Sequence, residues 1–121
     1  MQNAAQAYGT VALQTASPRE LEADLLLKAA SRLQAVQDSW ESRRNELSDA
    51  LVFNRRLWAL FLASVTNAEN PLPVAIRQNI TNLGLFTMNK TLAIMSDPQR
   101  DHLSSLININ REIAAGLRAQ P

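Results

Sequence analysis

His102 is the only histidine in the chain, and no second ligand lies near it in sequence. A histidine acts as a general base or metal ligand only with partners, either a nucleophile within reach or further donors at ligand spacing. His102 stands one position before the apolar stripe of the last helical segment, which reads as a surface histidine near a helix start. Its neighbour Asp101 suits local capping. No nucleophile elbow surrounds any serine. Gly9, Gly84 and Gly116 are isolated, so no glycine-rich loop cradles a phosphate. The acidic residues are dispersed and form no paired helical metal motif. Cysteine is absent, which excludes disulfides, thiolate metal sites and cysteine nucleophiles. The expectation is a protein that is not an enzyme, with no catalytic residue, metal or cofactor.

Amides and arginines are the more informative residues. At 100° per residue, Asn54 falls within an apolar face between Leu47-Leu51 and Trp58-Phe61, and Asn110 falls among Ile107, Ile113 and Ala114. A polar group on a buried stripe costs free energy unless it is hydrogen-bonded. Two readings follow. Either each amide makes an internal Asn–Asn or Asn–backbone contact that fixes helix register, or both belong to a partner groove whose polar groups set specificity. Arg77, Gln78, Asn79 and Asn82 make a polar strip that is either solvated surface or a recognition edge for another helix. Arg55-Arg56, Arg77 and Arg111-Glu112 are either charge-paired structural groups or interface anchors. The candidate partner-binding set is Asn54, Arg55, Trp58, Arg77, Asn79, Asn82, Asn110 and Arg111, with Trp58 better suited to the core than to contact.

These side chains need helices to position them. Ser17-Pro18-Arg19-Glu20 is a capping box with proline at the first helical position, and it opens a helix over 18–38 whose face carries Leu25, Leu26, Ala29, Leu33, Val36 and Trp40. Leu27 is expected to stand off that stripe, exposed. A polar break follows between Asp38 and Asn45. The period returns over 46–67, where Phe53, Leu57 and Leu60 widen the apolar arc past half the circumference. Asn70-Pro71-Leu72-Pro73 is the clearest break, and a helix over 73–95 starts after it. That helix carries two apolar stripes, Ile76, Ile80, Leu83 and Ile94 on one side and Val74, Leu85, Met88 and Leu92 on the other. Either it is central in the fold, or one stripe awaits a partner. Asp97-Pro98 is expected to cap a last helix over 98–117 with a stripe of Leu103, Leu106, Ile107, Ile113, Ala114 and Leu117. Residues 3–14 read as a short amphipathic helix weakened by Gly9, or as a terminus that orders on docking. No strand alternation appears. The fold class is all-α, a small bundle of four main helices in a single domain over 1–121, with the short leading helix as an addition.

Composition narrows the partners. Twelve basic residues are interspersed with eleven acidic ones, for a net charge of +1, so the electrostatic footprint of a nucleic-acid binder is missing. The start lacks the pattern of a signal peptide, and the longest apolar stretch, near Leu57 to Val65, is far short of the ~18–20 residues that span a bilayer. A cytoplasmic protein without membrane insertion is expected.

Ala7-Tyr8-Gly9, Ser17-Pro18-Arg19-Glu20, Asn54-Arg55-Arg56-Leu57-Trp58, Asn70-Pro71-Leu72-Pro73 with Ile76-Arg77-Gln78-Asn79-Ile80, and Ile109-Asn110-Arg111-Glu112-Ile113-Ala114-Ala115-Gly116-Leu117 are spread over almost the whole chain. Together they resemble the flagellar protein FlaF family. The resemblance implies a role in flagellar filament biogenesis in alphaproteobacteria. It implies a cytoplasmic positive factor for flagellin production and secretion that binds flagellin as an export chaperone. It also implies opposition to, or cooperation with, FlbT, a regulator acting on flagellin messenger RNA. No catalytic residues and no residue-level flagellin site come with it. The rival reading is direct binding of flagellin messenger RNA through Arg43-Arg44 and Arg55-Arg56. Balanced charge and the lack of an RNA-binding motif weigh against that. The sequence leaves monomer and dimer equally open.

Overall fold

Pro18 opens the first helix of the computed structural model, which describes residues 18–120. Ser17, the expected cap, and the expected helix over 3–14 lie outside the described residues. Helix α1 spans Pro18–Asp38 with Glu20 in its first turn, where a carboxylate suits the positive helix end. Its buried residues are Ala23, Leu26, Ala29, Ala30, Leu33 and Val36. Leu27 is half-buried against the core instead of standing free. The reason is that α1 is covered on two sides, by the second and the last helix.

Ser39 breaks the helical path with φ −122° and ψ 46°, inside the polar segment where a break was expected. A single helical turn, Trp40–Arg43, and a 3-10 turn, Arg44–Glu46, then lead into α2, Leu47–Val65. Arg43 donates two 2.8 Å hydrogen bonds to the Glu46 carboxylate. Those bonds hold the Glu46 carboxyl below its ordinary range and raise the Arg43 guanidinium.

The connection after α2 is built on side-chain turns. Asn67 Oδ1 accepts from the Glu69 N–H, and Asn70 Oδ1 from the Leu72 N–H, each at 2.9 Å. Pro73 then takes an extended conformation (φ −54°, ψ 145°), and α3 runs over Val74–Ser96. The last helix, α4, spans Leu103–Arg118 and so begins later than the expected position 98. Proline pushes its predecessor away from helix, and Asp97 (φ −145°, ψ 83°) and Gln99 (φ −132°, ψ 131°) are both non-helical. The Asp97 carboxylate accepts from the Gln99 side chain, and a 3-10 turn over Arg100–His102 intervenes before the helix.

Contacts between α1 and α4 run in opposite chain order: Asp24 with Arg118, Gln34 with Arg111, Gln37 with Ser104. The helices therefore lie antiparallel. α1 also packs on α2, α2 on α3, and α3 closes the circuit with a thinner contact to α4. The result is an up-down-up-down arrangement with no strand among the described residues. Its core falls into two apolar clusters. One holds Leu26, Trp58, Phe61, Ile80 and Leu117, and the other holds Leu33, Val36, Leu51, Ile94 and Leu106.

Candidate functional site

Asn54 and Asn110 sit between those two clusters, fully buried. Asn110 Nδ2 donates to Asn54 Oδ1 at 2.7 Å and to the Leu26 carbonyl at 3.2 Å, while Trp58 Nε1 donates to Asn110 Oδ1 at 2.9 Å. One amide thus ties α4 to α1 and α2 in a single polar layer. Its geometry fixes how far each helix can slide. A docking surface must offer atoms to solvent, so Asn54, Trp58 and Asn110 leave the candidate set. They form the internal register contact that the sequence offered as one of two readings.

The other candidates are scattered. Arg77 is half-buried, and its guanidinium donates to the Leu72 and Asn67 carbonyls at 3.1 and 3.3 Å. It holds the loop between α2 and α3, yet it also borders a shallow depression with Val65, Val74, Thr81 and Asn82. Asn79 lies on another side of α3, in a depression shared with Ile113 and Leu117 of α4. Arg111 is exposed and donates to Gln34 Oε1 at 3.3 Å, bracing α4 on α1. Arg55 is exposed on α2. The fold therefore brings Arg77 and Asn82 together and leaves the rest apart.

Helix α3 resolves the choice between its two stripes. Its buried residues are Ile80, Gly84, Thr87, Thr91 and Ile94. Thr91 Oγ1 satisfies itself on the Thr87 carbonyl at 2.7 Å. At Gly84 the approach of α2 is close, since a Cβ there would overlap the Leu62 side chain, with Cγ at 2.8 Å. No apolar trough opens between these two helices at that height. On the outer side, Val74, Leu85 and Leu92 are 58%, 57% and 59% exposed, and Phe86 and Met95 are exposed beside them. Such a row, rimmed by Gln78, Asn82 and Asn89, has the character of an interaction face.

A second apolar feature was missed as a site by sequence reasoning. A groove of ≈ 510 Å³ runs between the first half of α1 and the second half of α2, lined by Leu21, Leu25, Leu57 and Leu60 among others. The wide apolar arc of α2 was its signal, but periodicity alone cannot tell a groove wall from a core face. No group of three His, Asp or Glu residues among the described residues is placed to hold a metal ion. His102 is half-buried on the turn before α4.

A family model described as flagellar protein FlaF matches residues 4–117. The chain belongs to the FlaF family. Neither the curated proteins nor the solved structures give a significant match. The chain is thus an all-α flagellar protein. No helix among its described residues is long and apolar enough to cross a membrane. Among the described residues of this FlaF protein, the outer face of α3 and the α1–α2 groove expose apolar side chains.

Proposed function

We propose that this FlaF protein is a non-enzymatic factor of flagellar biogenesis that binds flagellin in the cytoplasm as an export chaperone and thereby promotes flagellin synthesis and secretion. The observation that carries the reading is the open apolar row Val74, Leu85 and Leu92 on α3, beside the depression bordered by Arg77 and Asn82. An amphipathic flagellin helix laid along this row would be shielded from self-assembly. Covering each half-exposed leucine contributes about 1 kcal/mol, so affinity comes from the row, while Asn82 and the neighbouring amides set the register. FlbT is a second partner on this reading.

Isothermal titration of the protein with monomeric flagellin, with light scattering of the eluted mixture, tests this. A complex of defined stoichiometry at micromolar affinity or better is the expected result. Absence of a flagellin complex, with salt-sensitive binding of a flagellin leader RNA instead, would replace it with direct RNA control.

A further inference from the structure

The α1–α2 groove has a chemical direction along its length. Its apolar part is made by Leu21 and Leu25 from α1 and by Leu57 and Leu60 from α2, and Leu60 is 73% exposed, the most of the large apolar side chains among the described residues. Steps of three and four residues along α1 lead from Leu21 and Leu25 to Lys28 and Arg32 on the same stripe. Both cations stand over Phe53, with Lys28 Nζ 5.7 Å and Arg32 Cζ 4.8 Å from the ring centroid. Phe53 is one turn before Leu57 on α2, so groove and cation pair are consecutive stretches of one seam. Neither cation forms an ion pair among the described residues, although Arg32 attracts Glu46 from longer range. At the other end Arg19 is paired with Glu22, and Glu69 borders the mouth. Among the described residues lining the seam, unpaired positive charge therefore stands at one end.

We propose that this seam docks an amphipathic helix of a partner protein, with its apolar side on Leu21, Leu25, Leu57 and Leu60 and a carboxylate at one end reaching Lys28 and Arg32. The eleven residue steps from Leu21 to Arg32 rise about 16 Å, which suits a three-turn helix. The apolar stretch supplies affinity, and the cations fix which way the helix lies. Stacking on Phe53 holds both charges in place, so a carboxylate meets a preset pair instead of two mobile side chains. The chain itself is a poor occupant. Residues 1–17 contain no aspartate or glutamate, and neither does α3, so the N-terminal segment and the open row of a second copy both lack the carboxylate. This inference concerns a different face from the flagellin reading and stands without it.

The test uses the full chain and three fluorescein-labelled, helix-stapled peptides of about four turns, with apolar residues at i, i+4 and i+7. One ends in two glutamates, one in two lysines, and one is scrambled; binding is read by fluorescence anisotropy. The glutamate peptide should bind, and at least tenfold more weakly to the Lys28→Glu/Arg32→Glu variant, which should instead accept the lysine peptide. Leu60→Asp should abolish both. These positions are exposed, and circular dichroism verifies that each variant folds. Binding indifferent to the charge swap, or no binding of any peptide, would overturn the proposal. So would binding that appears only after deletion of residues 1–16, which would make that segment the occupant.

Discussion

Asn110 makes three hydrogen bonds in the interior, whereas Asn54 makes one through Oδ1 and its Nδ2 has no protein partner. The two amides are therefore unequal. Asn110→Ala strands the Trp58 N–H and Asn54 Oδ1, while the Leu26 carbonyl keeps its bond within α1, and should destabilise the fold by about 2–3 kcal/mol. Asn54→Ala should cost about 1–2 kcal/mol, because one bond goes and an unpartnered donor goes with it. Urea denaturation of both variants checks the order, and equal losses would mean that the layer is not centred on Asn110. Much of this layer is legible in the sequence, since both asparagines fall on apolar stripes. Their meeting is not, because the bond joins residues 56 apart and depends on how α2 and α4 are juxtaposed. The role of Arg77 is hidden for the same reason. Its partners are backbone carbonyls, which carry no sequence signature.

At the scale of the helices, Gly84 and Gly116 form a matched pair. At Gly84 the Leu62 side chain of α2 fills the place of a Cβ, and Gly116 has nothing within 4 Å of an added Cβ. Gly84→Ala gains helix propensity but drives a methyl into Leu62, with an expected net loss of about 1–2 kcal/mol. Gly116→Ala meets no obstacle and should stabilise by about 0.5–1 kcal/mol. Thermal unfolding of the two variants should shift the midpoint in opposite directions. Proline and period place α1, α2 and α3 within two residues of where they run, and the stripe expected for α4 is the one found buried. The buried side of α3 is harder to read. It is lined by Gly84, Thr87 and Thr91 as much as by Ile80 and Ile94, and a hydrophobic pattern gives no weight to small polar residues that allow close packing. The start of α4 is misplaced by the Asp97-Pro98 signal, because a proline after aspartate can equally hold an extended corner.

For the whole molecule, the question is what covers the apolar surface that four helices leave open. Two stripes on α3 are visible in the sequence. Which one faces inward is decided by Gly84 against Leu62, a contact between helices. The candidate surface was legible only in part, since Asn54, Trp58 and Asn110 proved internal while Arg77 and Asn82 border an open depression. The central claim is that the outer row of α3 holds flagellin. It is tested most directly by titrating monomeric flagellin into the protein and into a Leu85→Asp/Leu92→Asp variant. Both leucines are more than half exposed, so the variant should keep its fold and unfolding midpoint. The account predicts that the variant loses flagellin affinity by at least tenfold. Unchanged affinity in a folded variant would contradict it.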